Sequence, residues 1–246
     1  MSYYETDEQV DQYMEFHYGD SWLSVPNYPQ ACARHCLERV AGERRERALD
    51  LGCAVGRTSF ELAREFGQVT GVDLSHRFID QANELLASGR AEYFRRDEGE
   101  LGRYCTADLA KLGLAETAAR VDFQQGDACR LSPDLGDFDL VFAGNLIDRL
   151  PEPARFLQSI HRHIRPGGVL VVSSPYTLMT EFTPRSQWIG GFMAGGREVT
   201  VLEGMGACLE PWFESMGEPV ELPFVIRETR RKFQHSFAQL SAWRRL

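Results

Sequence analysis

The chain has 246 residues, of which 43% are hydrophobic, and a formal net charge of −9 at pH 7. This suits one large domain with a sizeable core, read as a single unit over residues 1–246. The acidic balance argues against general nucleic-acid binding, whose affinity comes mainly from Lys and Arg, and no run of eighteen apolar residues predicts a membrane span.

The chain opens acidic and aromatic, with no basic start or apolar signal core. Thr6 is placed to cap a helix with Val10, Tyr13, Met14 and His17 at helical spacing, and Gly19 to end it. This arm, residues 1–30, is read both as packing cover and as a lid. Pro26 to Pro29 reads as a turn and residues 30–41 as a helix. The six cysteines form no CxxC pair. They read as reduced thiols of a cytoplasmic protein, and Cys32 with Cys36 lacks the further ligands of a metal site.

Residues 47–51 form an apolar strand that leads into a glycine-bearing loop and a helix over 57–66. Strand two (68–73) and a Ser75-capped helix (76–87) follow. This is the βαβα rhythm of a parallel sheet. Residues 88–120 break it and read as an insertion or a lengthened strand pair, with 106–112 a short helix. Strand three runs from Val121 to a polar turn at Gly126-Asp127-Ala128. Strand four, Phe138–Ala143, is an unbroken apolar run of the buried parallel type. Helix 152–163 carries His161 and His163, read as surface residues. Strand five is 169–173. Residues 177–198 are a second irregular insertion with a short helix near Pro184–Ile189, then a helix over 200–209. Val220–Arg227 and Phe233–Trp243 read as an antiparallel hairpin. The basic cluster of Arg227, Arg230, Arg231, Lys232, Arg244 and Arg245 reads as a solvated turn and chain end. The predicted architecture is α/β and Rossmann-like: a mainly parallel seven-stranded sheet, closed by the C-terminal antiparallel hairpin and carrying the N-terminal arm and insertions.

The loop at 50–58 carries the functional signal. A dinucleotide fingerprint needs G-x-G-x-x-G, but Ala54 stands at its second glycine and Arg57 at its third. The Ala54 methyl lies where a pyrophosphate would approach, which weakens that reading. A D-x-G-x-x-x-G loop suits an adenosine cofactor without phosphates, S-adenosylmethionine. Asp50 is placed to hold its ammonium, directly or through water, while loop N–H groups take its carboxylate. Asp73 lies 21 residues beyond Gly52 at the end of strand two. It is placed to accept from ribose hydroxyls, and it can also cap the next helix. Asp127 is placed to accept from the adenine amine. The candidate cofactor residues are Asp50, Gly52, Cys53, Ala54, Gly56, Arg57, Asp73, Leu74, Ser75, Gly126, Asp127, Ala128 and Asn145, with no metal. Asn145 follows strand four, where ligands meet such sheets, with Leu146, Ile147, Asp148 and Arg149 beside it.

Five stretches together resemble class I S-adenosylmethionine-dependent methyltransferases over about residues 45–175: Leu49–Gly56, Gly71–Ser75, Gly126–Ala128, Phe138–Val141 and Pro166–Gly168. A closer resemblance covers most of the chain, through Tyr3–Asp7, Phe16–Gly19, Arg95–Glu100, Asn145–Leu150, Ser174–Thr177, Phe182–Pro184, Trp188–Gly191, Arg231–Gln234 and Trp243–Arg245. It is to the 4-mercaptohistidine (5-thiohistidine) N1-methyltransferases of ovothiol biosynthesis. That family occurs alone or as the C-terminal domain of the pathway's sulfoxide synthase, and this sequence resembles the stand-alone form. The resemblance implies a small thiohistidine-like acceptor and a functional link to such a synthase.

Methyl transfer to a neutral imidazole needs in-line positioning and a chosen tautomer rather than a strong base. The candidate catalytic residues are Tyr18, Asn145 and Tyr176. The candidate acceptor-binding residues are Tyr4, His17, Tyr18, Asp148, Arg149, Tyr176 and Arg197. Arg149, Arg185 and Arg197 are alternatives for the acceptor carboxylate. Other small amines, imidazoles or thiols, or cofactor binding without transfer, are the competing readings.

Overall fold

The computed structural model describes residues 4–40 and 42–246. Tyr3, read with the arm, and Ala41, read as the end of the second helix, lie outside them. Helix α1 spans Asp7–Tyr18 and starts where expected, with Thr6 Oγ1 accepting the Gln9 N–H at 3.3 Å. Gly19 ends it, its N–H on the Glu15 carbonyl. Helix α2 (Tyr28–Arg39) is capped by Asn27 and begins earlier than expected, so Tyr28 joins it. Next come β1 (Arg47–Leu51), α3 (Arg57–Leu62), β2 (Gln68–Asp73) and α4 (His76–Ser88), the last capped by Ser75.

Residues 88–120 are the lengthened strand pair: β3 (Arg90–Glu98) and β4 (Leu101–Asp108) form an antiparallel hairpin outside the main sheet. The short helix expected at 106–112 is absent. Thr106–Asp108 pair with Arg90–Glu92 instead, and the helical turn comes later, at Ala115–Arg120. The chain continues through β5 (Val121–Gln125), β6 (Phe138–Gly144), α5 (Pro153–Ser159) and β7 (Ile164–Ser174). The second insertion holds a 3-10 turn at Arg185–Gln187, as expected, and a small hairpin of β8 (Phe192–Ala194) and β9 (Arg197–Val199). Helix α6 (Val201–Leu209) opens on a Thr200–Glu203 capping box. Strands β10 (Phe213–Ser215), β11 (Val220–Arg227) and β12 (Phe233–Arg245) end the chain.

The α/β architecture is as the sequence predicts. Strands β5, β2, β1, β6 and β7 lie side by side in parallel, and β12 runs antiparallel to β7. Strand β12 also pairs with β11 as the closing hairpin and, at its far end, with β10. Among the described residues the sheet therefore has eight strands. The one added to the expected seven is the three-residue β10, too short to show a period. Side chains alternate across the sheet as strand geometry requires. Leu140, Phe142, Val169 and Val171 face one apolar layer with α1 to α4, while Val141, Ala143, Leu170 and Val172 face another with α5 and α6. The strand order reverses between β1 and β6, which opens a crevice at their carboxyl ends.

Two surface expectations change. His161 and His163 are buried, and His161 stacks on Trp212 with centroids 4.0 Å apart. Arg227 is not part of a solvated turn: its buried guanidinium meets Asp97 at 2.5 Å and the Arg96 carbonyl at 2.6 Å. Among the described residues no helix is long and apolar enough to cross a membrane.

Candidate active site

Four strands end at one level: Leu51 is in register with Val72 and Ala143, and Asp73 with Gln125. Beyond them lies a cavity which, open solvent at its mouth included, encloses about 1250 Å³. This is room for a nucleoside cofactor with a small second ligand. One wall comes from the strand ends and the loop: Asp50, Gly52, Cys53, Ala54, Asp73, Leu74, Gly126, Asp127, Ala128 and Asn145 all line it. The opposite wall is the arm and α2, with Tyr4, Tyr13, Phe16, His17 and Tyr28.

The loop is built by its backbone. Gly52 (φ +72°) and Gly56 (φ +88°) take left-handed turns that glycine makes without strain. A Cβ on Gly56 would sit 2.3 Å from the Phe123 ring. The Gly52 and Cys53 N–H groups both donate to the Val72 carbonyl, at 2.8 and 3.2 Å. The Ala54 N–H donates to Asp73 Oδ2 at 2.9 Å. These three donors are therefore spent on β2, so the loop N–H groups expected to take a cofactor carboxylate do not include them. Thr58 and His17 line the same cavity. Asp73 takes one N–H on each oxygen, from Ala54 and from Ser75. A carboxylate oxygen accepts more than one bond, so capping leaves it able to receive ribose hydroxyls.

Asp50 is almost fully buried, and Ser59 Oγ donates to it at 2.6 Å. Burial pushes its carboxyl up to about 7, and Asp73 nearby adds to this. Burial likewise lifts Asp73 to about 6, against the N–H donors that favour its charge. Two carboxyls held this high beside one cavity form a site short of positive charge, and the ammonium end of a sulfonium amino acid fits it. Asp127 caps the turn after β5, accepting the Cys129 N–H at 2.8 Å.

Several predicted residues lie behind the lining rather than in it. Gly56 and Ser75 shape the two turns; Ser75 Oγ donates to the Tyr4 carbonyl at 2.9 Å. Arg57 is buried, with its guanidinium on Glu61 at 2.7 and 2.9 Å and on the His17 carbonyl at 3.2 Å. The Tyr18 hydroxyl donates to the Val55 carbonyl at 2.7 Å, tying the arm to the loop. Asp148 is buried between Ser174 Oγ at 2.9 Å and Arg149 at 2.7 Å. Ile147 also leaves the expected lining, for the core. Tyr176 turns its hydroxyl to Gln239 at 3.2 Å.

Arg149 does line the cavity, steadied by Asp148, the Thr177 carbonyl and the face of Phe182. The other two candidate arginines stand elsewhere. Arg185 covers Trp188 and Phe192, and exposed Arg197 pairs with Glu203 at 2.7 Å. Among the described residues no cluster of His, Cys, Asp or Glu is placed to hold a metal.

Sequence reasoning missed Tyr28, Tyr13, Phe16 and Phe78. Tyr28 stacks on Phe16 and packs on Phe224, and Tyr13 sits 4.7 Å from Phe78 between ring centroids. Tyr13 was visible as an apolar helix position, but nothing in the Asn27-Tyr28-Pro29 turn marked Tyr28 as reaching the sheet.

A family model described as a methyltransferase domain matches residues 49–172, half of the chain. The trans-aconitate 2-methyltransferase of Deinococcus radiodurans is 33% identical over 129 residues, which is 52% of this chain and 37% of that one. A ubiquinone biosynthesis O-methyltransferase of Aromatoleum aromaticum is 28% identical over 139 residues, 56% of this chain and 47% of that one. The chain thus spans less than half the length of these two relatives. In fold it is similar to the N-methyltransferase NodS of Bradyrhizobium japonicum, solved with S-adenosyl-L-homocysteine, at a TM-score of 0.55 and 15% identity over 96% of this chain and 98% of that one. It is equally similar to the 4+2 cyclase SpnF, at 0.55 and 18% identity over 97% and 96%. The chain belongs to the methyltransferase family, with the class I fold.

Proposed function

We propose that the chain transfers a methyl group from S-adenosylmethionine to an imidazole nitrogen of 5-thiohistidine, the acceptor that its sequence resemblance implies. The supporting observation is the state of the titratable groups on the acceptor side of the cavity. A hydroxyl acceptor loses its proton as the methyl arrives and needs a base of matched pKa. His17 is a poor one: the Arg57 N–H approaches its Nδ1 at 3.4 Å, and burial with the Arg57 charge holds its pKa down near 3. Burial pushes the Tyr13 and Tyr28 hydroxyls well up and the Cys32 thiol to about 12. An imidazole brings a lone pair on its pyridine-type nitrogen and needs no such base. The cofactor's sulfonium supplies the methyl, and the protein's task is alignment.

In this reading Arg149 holds the acceptor carboxylate, with Asp148 steadying it from behind. Asn145, Tyr4 and His17 orient the ring from the cavity wall, and Tyr18 and Tyr176 support the surrounding segments. The aromatic arm is a lid, and a sulfoxide synthase of the same pathway is the functional partner. A second reading keeps the cofactor and changes the acceptor to another small carboxylate. The relative named for trans-aconitate favours it. Incubation with S-adenosylmethionine and 5-thiohistidine, read by mass spectrometry, separates the two, with histidine and trans-aconitate as parallel acceptors. A product heavier by one methylene that keeps a titratable free thiol supports the first reading. Methylation of trans-aconitate alone supports the second, and tight cofactor binding without any product refutes both.

A further inference from the structure

Tyr28 was assigned no role by the sequence, yet it joins the two strand ends that flank the acceptor side. It is the first residue of α2 and is 5% exposed. Its hydroxyl lies 2.8 Å from Asn145 Oδ1 and 2.8 Å from Ser173 Oγ. Ser173 is fully buried on β7, and Asn145 follows β6 in the left-handed region at φ +49°. The Asn145 N–H donates to the Ser173 carbonyl at 2.8 Å. A three-member polar row thus runs from the sheet to the cavity wall: Ser173 donates to Tyr28, and Tyr28 donates to Asn145. With its amide oxygen occupied by Tyr28, Asn145 keeps its NH₂ as the group available to a ligand, because an amide carries its acceptor and donors on separate atoms.

We propose that Tyr28 is a positioning residue of the acceptor site: its hydroxyl fixes the Asn145 amide so that the NH₂ donates to an electron-rich atom of the methyl acceptor. This rests on the transferase reading above. For a thiohistidine acceptor the recipient is the thiolate, which a donor there would hold back from the methyl while the ring nitrogen attacks. The hydrogen bond forms and breaks no covalent bond. The bond that forms in the reaction is ring nitrogen to methyl carbon, and the bond that breaks is methyl carbon to sulfonium sulfur. The electron pair stays with the departing S-adenosylhomocysteine.

The test uses the whole chain with Tyr28→Phe, which keeps the ring packing on Phe16 and Phe224. The expected result is a fall of about tenfold in kcat/KM for the acceptor, unchanged affinity for S-adenosylmethionine, and an increased share of S-methylated product. Asn145→Asp keeps an oxygen for Tyr28 but loses the donor, and should show the same change in product ratio. Tyr28→Phe with an unaltered product ratio and unaltered acceptor kinetics overturns the proposal while leaving the transferase reading intact. Wild-type protein that methylates no thiohistidine refutes that substrate instead, and a second readout then decides. In ¹⁵N–¹H spectra of the S-adenosylhomocysteine complex, Tyr28→Phe must displace the side-chain amide pair that Asn145→Ala removes. An undisplaced pair overturns the proposal whatever the acceptor.

Discussion

Asp50 is held in a state that costs the folded protein stability, and replacing it should separate stability from cofactor binding. Its carboxyl titrates near 7 in the folded chain and near the ordinary 3.8 when unfolded. The folded state therefore binds this proton more tightly. The stability it contributes is present in full below about pH 3.8 and is lost as pH rises to about 7. At about 1.4 kcal/mol per pH unit the loss is roughly 4 kcal/mol at most, and relaxation of the site makes about 2–4 kcal/mol the working range. Asp50→Asn keeps an oxygen for the Ser59 hydroxyl and discards the charge. Urea unfolding without cofactor should show the variant more stable than the parent by about 2–4 kcal/mol at pH 8, with a gap that closes toward pH 4. Calorimetry at pH 8 should show S-adenosylmethionine binding weakened about 10- to 100-fold, since an ammonium has lost a charged partner. Between pH 6 and 7 binding to the parent should release a proton, because the ammonium drives Asp50 to ionise. Equal stability of the two proteins at pH 8, or undiminished cofactor affinity in the variant, would refute the reasoning.

Arg149→Ala should raise the acceptor KM about 10- to 100-fold with little change in cofactor affinity, while Arg197→Ala changes neither. Steady-state kinetics in which Arg197 matters more would reverse the placement. Gly56→Ala should destabilise the fold by about 2–4 kcal/mol in urea unfolding, combining a left-handed alanine with a Cβ driven into Phe123. Tyr18→Phe should weaken cofactor binding a few-fold through the lost Val55 bond and leave kcat for bound substrates within about twofold. A collapse of kcat would mean that Tyr18 reaches the reacting atoms.

The order of strands and helices was legible because short-range signals state it. Thr6 and Ser75 each cap the helix they precede, and the unbroken apolar run at β6 is of the buried parallel type. That Asp50 and Asp73 would line one cavity was legible for the same reason, since both sit near strand ends that the register brings level. The acceptor half was not. Tyr28 reaches Asn145 across 117 residues of sequence, and no local period records a contact of that kind. Arg197 and Arg149 look alike in sequence; what separates them is that one lies on an exposed hairpin and the other beside a buried aspartate. The β3–β4 hairpin was read ambiguously because the first half of β4 is exposed on both faces, so its sequence carries little hydrophobic alternation. His161 and His163 escaped because a 3-10 turn replaces the last turn of the expected helix and turns both inward.

Ala54 shows how a correct inference can rest on too small a cause. In the sequence its methyl argued against a pyrophosphate. In the structure the methyl matters less than the backbone: Ala54 adopts φ +46°, a conformation costly for alanine, and its N–H is turned onto Asp73. Gly52 and Cys53 turn theirs onto Val72, and Gly56 onto the Cys53 carbonyl. A phosphate-binding loop works by aiming consecutive N–H groups outward at an anion, whereas here four of them point inward or along the loop. What the strand ends beside the loop offer the cavity is carboxylate oxygen, from Asp50 and Asp73, which on the proposed reading suits an ammonium and hydroxyls. Restoring a glycine at 54 would relieve the backbone strain without redirecting those donors. Ala54→Gly should therefore leave the protein indifferent to dinucleotides, and tight NADH binding by that variant would show that the methyl, not the spent donors, had been the barrier.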